Sequence, residues 1–120
     1  MVLVDTSVWV DHLRQGDAAL IRLLDAQQVL MHPLVSGELA CGNLKNRKNL
    51  LGLFDALPHA MEAEHTEVRT FIETRKLMGK GLGYADISLL AAAALNSGAH
   101  LWTRDKRLED AARRLGLAYT

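Results

Sequence analysis

The sequence predicts a three-layer α/β/α domain, with helices on both faces of a short central parallel sheet, spanning residues 1–120 as one unit. Three observations carry this. Short apolar runs alternate with segments of helical periodicity; each run is too short to stand as a free hairpin; and 120 residues suit one core that removes roughly two-thirds of the unfolded surface from water.

Val2-Leu3-Val4, closed by Asp5-Thr6-Ser7, reads as a buried strand leading into a helix through about Leu13. Asp17 caps a second helix in which Leu20, Leu23 and Leu24 recur at helical spacing, and Val29-Leu30-Met31 returns as strand. Pro33 opens a third helix carrying Leu34, Val35 and Glu38-Leu39-Ala40-Cys41, and Gly42-Asn43 stops it. A fourth helix runs from about Arg47 to Leu57 and ends at Pro58. A fifth, from about Glu64 to Met78, has Val68, Phe71, Ile72 and Leu77 on its apolar side. Gly79, Gly81 and Gly83 form a flexible turn before the sixth, Tyr84 to Asn96, which is apolar almost all round and therefore buried on most sides. Ala99 to Trp102 is another buried strand, Asp105 caps a helix from Lys106 to Leu115, and Leu117-Ala118-Tyr119 forms an edge strand.

Lys plus Arg and Asp plus Glu each number 14, so no global field draws the chain onto a polyanion, and nucleic-acid binding has to be local. Cys41 is the only cysteine, which excludes an internal disulfide and suits a reducing cytoplasm, where a lone buried thiol is a small apolar residue. The apolar start stops at Asp5 without a basic leader, so export is not expected. The longest apolar run, Ile87 to Leu95, falls short of the ~20 residues that cross a bilayer. His12, His32, His59, His65 and His100 lack metal-ligand spacing, which makes them surface or structural residues and disfavours zinc. The glycine run has neither the preceding strand nor the following Lys-Ser/Thr of a phosphate loop.

Four acids stand out. In an open parallel sheet, ligands bind beyond the carboxyl ends of the strands, where Asp5 and Asp105 are expected. Either Asp also serves as a helix cap, but Thr6 and Ser7 can cap in place of Asp5, which strengthens its chemical reading. Glu38 lies on a stripe with Leu34, Val35 and Cys41, and Asp86 shares a face with Leu89, Leu90 and Ala93. Gathered carboxylates repel one another and resist burial unless a cation or protons compensate; an all-oxygen set selects a hard ion such as Mg²⁺ or Mn²⁺. Such a site suits phosphodiester chemistry. Arg104, Lys106 and Arg107, which flank Asp105, are the preferred contacts for neighbouring phosphates, ahead of Lys45, Arg47 and Lys48.

Through Val4-Asp5-Thr6-Ser7-Val8-Trp9, Ser36-Gly37-Glu38-Leu39-Ala40, Gly83-Tyr84-Ala85-Asp86 and Leu101-Trp102-Thr103-Arg104-Asp105-Lys106-Arg107-Leu108, the chain resembles the PIN-domain ribonucleases nearly end to end. The specific resemblance is to the VapC toxins of bacterial and archaeal toxin–antitoxin pairs. It implies a metal site built on Asp5, Glu38, Asp86 and Asp105, supported by the hydroxyls of Thr6 and Thr103. Asp5 and Asp86 would hold Mg²⁺ or Mn²⁺, Glu38 would orient or deprotonate the attacking water, and Asp105 would complete the ring. The implied reaction is RNA hydrolysis to a 5′-phosphate and a 3′-hydroxyl. A cognate antitoxin that covers an apolar groove lined by Val8, Trp9, Leu20 and Leu24, and a homodimer, are implied as partners. Two other readings are an Asp5-nucleophile phosphatase, weakened by Ser7 in place of a second Asp, and a noncatalytic RNA- or protein-binding scaffold.

Overall fold

A computed structural model describes all 120 residues. The elements follow in the order β1 (Val2–Val4), α1 (Thr6–Gln15), α2 (Ala18–Asp25), β2 (Val29–Leu30), α3 (Pro33–Ala40), α4 (Arg47–Ala56), α5 (His65–Arg75), α6 (Tyr84–Leu95), β3 (His100–Trp102) and α7 (Lys106–Arg114). The expected alternation is present. The sheet has the order β2-β1-β3, all parallel, with Val2 opposite both Val29 and His100. Leu101 forms a parallel bridge to Ala118, so the anticipated edge strand is reduced to one bridged residue.

The β1-to-β2 and β2-to-β3 connections run in opposite directions across the sheet, and right-handed crossovers therefore place helices on both faces. The strands are short and, apart from the exposed His100 that opens β3, apolar because both faces are covered: Leu3, Val4, Val29 and Leu101 are all buried. In α6, Ile87 to Ala93 are buried without exception, in line with its lack of a polar face. Its one buried hydroxyl, Ser88, donates to the Tyr84 carbonyl at 2.8 Å. Helix α5 stops earlier than its apolar pattern, because Lys76 turns left-handed at φ +54° and sends Leu77 into the core. No helix is long and apolar enough to cross a membrane.

Two expectations are corrected. Val8, Trp9 and Leu20 face the core and are essentially inaccessible, so they cannot line a partner groove. On α1 the outward positions are Val10, Leu13 and Arg14, which with Leu39, Leu44 and Leu50 border a groove of about 490 Å³. Helical spacing located an apolar stripe but not which stripe meets the sheet. Cys41 is exposed, because it falls at the C-terminal cap of α3, where the chain leaves the body.

Candidate active site

The strand order reverses direction at β1, and the loops leaving β1 and β3 open side by side at that switch point. Asp5 follows β1 directly, its amide donating to the Trp102 carbonyl of β3 at 2.9 Å. It occupies the cap position of α1 but its side chain makes no cap hydrogen bond. Instead Oδ2 accepts from the Ser7 hydroxyl at 2.7 Å and from the Thr103 hydroxyl at 2.8 Å. Those hydroxyls are oriented in turn by backbone: the Arg104 amide donates to Ser7 Oγ at 3.0 Å and the Asp105 amide to Thr103 Oγ1 at 3.1 Å. Each oxygen accepts from an amide and is left with its own proton for Asp5. The result is a buried carboxylate fixed in rotation, with Oδ1 free of protein hydrogen bonds.

Asp105 serves as the cap of α7: Oδ1 accepts from the Leu108 amide at 3.0 Å, while its second oxygen carries no protein partner. Asp86 lies in the first turn of α6 and reaches back to the Gly83 amide at 3.3 Å. Burial first, and then the charges of Asp5 and Asp105, push its carboxyl above the ordinary value, opposed only by the Gly83 amide. These three acids therefore feel one another. Glu38, exposed on α3, is tied to the residue after Asp5, the Thr6 hydroxyl donating to Oε1 at 2.8 Å. Glu38 does not emerge from an apolar stripe as its spacing predicts: Leu34, Cys41 and Glu38 itself are exposed, and only Val35 on that line is buried.

None of the four acids has a Lys, Arg or His nitrogen within 4.0 Å; the chain's ion pairs lie elsewhere. Nor do three of its Asp, Glu, His or Cys side chains draw close enough to enclose a metal ion by themselves. The four acids stand at the starts of α1, α6 and α7 and on α3, and the mutual influence that is seen joins Asp86 to Asp5 and Asp105.

The basic residues divide. Arg104 donates to Asp17 at 2.6 Å, pairs with Asp11 at 2.8 Å and lies over the Trp102 ring, so its charge is already balanced. Arg47 donates to the carbonyls of Gly42 and Ala40 at 3.0 and 2.6 Å, closing the end of α3. Lys106 and Arg107 have no carboxylate partner. Sequence reasoning overlooked the orienting role of Ser7, whose signal was a second hydroxyl directly after Asp5-Thr6, and it overlooked the Asp11/Asp17 pair that holds Arg104, for which spacing carried no signal.

Comparison with known proteins gives the family. The model of the PIN domain matches residues 2–114. Ribonuclease VapC32 from each of two strains of Mycobacterium tuberculosis is 48% identical over 118 residues, covering 98% of this chain and 95% of the relative.

Proposed function

Since the chain belongs to the PIN-domain family, among the VapC ribonucleases, we propose that it is the toxin of a toxin–antitoxin pair, hydrolysing RNA phosphodiesters to 5′-phosphate and 3′-hydroxyl ends. The observation that supports this most is that Asp5, Asp86, Asp105 and Glu38 are held by hydroxyls and backbone amides but left without a cation. A structural cluster of this kind would carry an arginine or lysine, as Asp11 and Asp17 do.

The donor set is all oxygen, which suits a hard divalent ion, Mg²⁺ or Mn²⁺, that keeps several of its waters. Asp5 and Asp86 would hold it, with Asp105 beside them. When bound, such an ion supplies an acidified water and offsets charge on the attacked phosphate. Asp5 contributes a pre-oriented oxygen, since Ser7 and Thr103 fix its rotation. Glu38, steadied by Thr6, orients the attacking water or takes its proton. Lys106 and Arg107 hold flanking phosphates, while Arg104 keeps the β3–α7 turn in place through its amide and its ion pairs.

The groove bordered by Val10, Leu13, Leu39, Leu44 and Leu50 reaches Glu38, and an antitoxin segment lying in it would cover the acidic site. A homodimer acting on cytoplasmic RNA completes the reading. The test is cleavage of RNA by the purified protein with and without Mg²⁺, alongside Asp5→Ala and Asp86→Ala. Loss of cleavage in folded variants is expected; if both cut like the wild type, the site lies elsewhere. Expression should also arrest growth unless the small protein encoded next to it is present.

A further inference from the structure

We propose that Arg107 holds its flanking phosphate together with Lys80 and Arg114, the three forming one non-catalytic subsite for the RNA backbone. The inference rests on the ribonuclease reading and extends it to how the strand is held. A cleft of about 160 Å³ is lined by these three residues with Asp110 and Ala111. That volume is large against the ~30 Å³ share of one water and admits a phosphate group.

The charge in the cleft is unbalanced. Three cations face one carboxylate, Asp110, and none of the three has a carboxylate oxygen within 4.0 Å. Arg104 is committed to Asp11 and Asp17, Arg113 to Glu109 and Arg47 to backbone carbonyls; Arg14, Arg22 and Arg69 have no carboxylate partner either, but the cleft gathers three such cations in one place. In a chain of zero net charge, a concave group of unpaired cations is where an anion gains most.

The cleft is also tied to the acids. Arg107 and Arg114 are seven apart on α7 and share a face, with Arg107 two residues beyond Asp105. Lys80 comes from the glycine turn that leads into Asp86. Within that turn Gly81 takes φ +76°, and the Arg107 side chain lies against it where a Cβ would collide. The positive φ favours glycine there, and a Cβ would merely displace the flexible end of Arg107, which packs on the loop that carries Lys80. A strand crossing the acidic site needs its next phosphate drawn toward positive charge, and forked guanidinium donors match a phosphodiester. No aromatic side chain lines the cleft, so it holds backbone and does not read a base.

The experiment uses Lys80→Gln/Arg114→Gln, both exposed and outside the acidic site, in an Asp5→Asn background that binds without cutting. Affinity for a single-stranded RNA oligonucleotide is measured across salt, with melting temperature as the check on folding. A loss of roughly 5- to 20-fold at moderate salt is expected, with a salt slope shallower by about 0.7 per lost phosphate contact. A single neutral methylphosphonate, walked along the strand, should weaken binding at one linkage in the parent and not in the double variant. Inorganic phosphate should compete only weakly, since the strand is also held at the acidic site. Unchanged affinity and slope, or no linkage at which the two proteins differ, overturns the subsite. Retained RNA affinity with lost hold on the antitoxin also overturns it, marking a protein contact. A wild type that binds RNA through this cleft but cuts none overturns the ribonuclease reading alone.

Discussion

Two groups of acids border the turn after β3, and they meet opposite fates. Asp11 and Asp17 close on Arg104, and Asp17 also caps α2 through the Leu20 amide; that amide first, and then Arg104, hold its carboxyl below the ordinary value against the opposing effect of burial. Asp86 has Asp5 and Asp105 as neighbours and no cation, and its carboxyl is pushed up by burial and by both of them. The first group is complete as folded. The second is left with uncompensated repulsion, and the contrast separates acids balanced within the fold from acids that it leaves unbalanced better than position alone does.

The strongest break of this comparison is Asp86→Asn. Cleavage should fall roughly 10²- to 10³-fold, the scale of removing one group that stabilises developing charge. Stability should move the other way. The raised folded value means that the native state binds this proton more tightly than the unfolded chain, so stability declines as pH rises from 3.8 through the folded value, and the deficit is complete at neutral pH. In chelator at pH 7, Asp86→Asn should therefore melt above the wild type; a lower melting point with lost activity would mean that the acid supports the fold.

Next in size is the divalent ion itself. Mg²⁺ or Mn²⁺ should raise the wild-type melting temperature, by a stabilisation of about 2.7 kcal/mol at 100 times Kd, and should leave Asp5→Asn/Asp86→Asn unmoved in the same scan. Equal stabilisation of both proteins would place the ion elsewhere.

Asp17→Ala probes the completed group. It removes a helix cap, costing about 1 kcal/mol in denaturant unfolding, and releases Arg104, while cleavage should stay within a few-fold of wild type. Asp17→Asn, which keeps the cap, should recover most of the loss. Because the folded value is lowered, the stability from Asp17 is present above 3.8 and disappears as pH falls through the folded value.

The smallest effect concerns a third titrating cap. His32 is buried, accepts from the Leu34 amide at 3.0 Å through Nδ1, and is held below its ordinary value by burial, with Glu62 opposing and His59 reinforcing. The unfolded chain takes up the proton first, so stability should slip as pH falls below 6.5. His32→Asn, which keeps a capping oxygen, should flatten melting curves between pH 7 and 5.

The succession of strands and helices, the burial of α6 and the caps at Asp17 and Asp105 were all legible in the sequence, because each depends on residues within one or two turns of it. The same local signals singled out Asp5, Glu38, Asp86 and Asp105, though Glu38 for a reason the structure does not support. Tertiary structure alone decided which face of α1 meets the sheet, that Cys41 stands in solvent, and which charges have partners. Arg104 finds Asp17 across 87 positions and Thr103 finds Asp5 across 98. Periodicity reports the neighbours along a helix, whereas Coulomb attraction and hydrogen bonding act between whatever atoms the fold brings within a few ångströms, and that proximity exists only once the chain has closed.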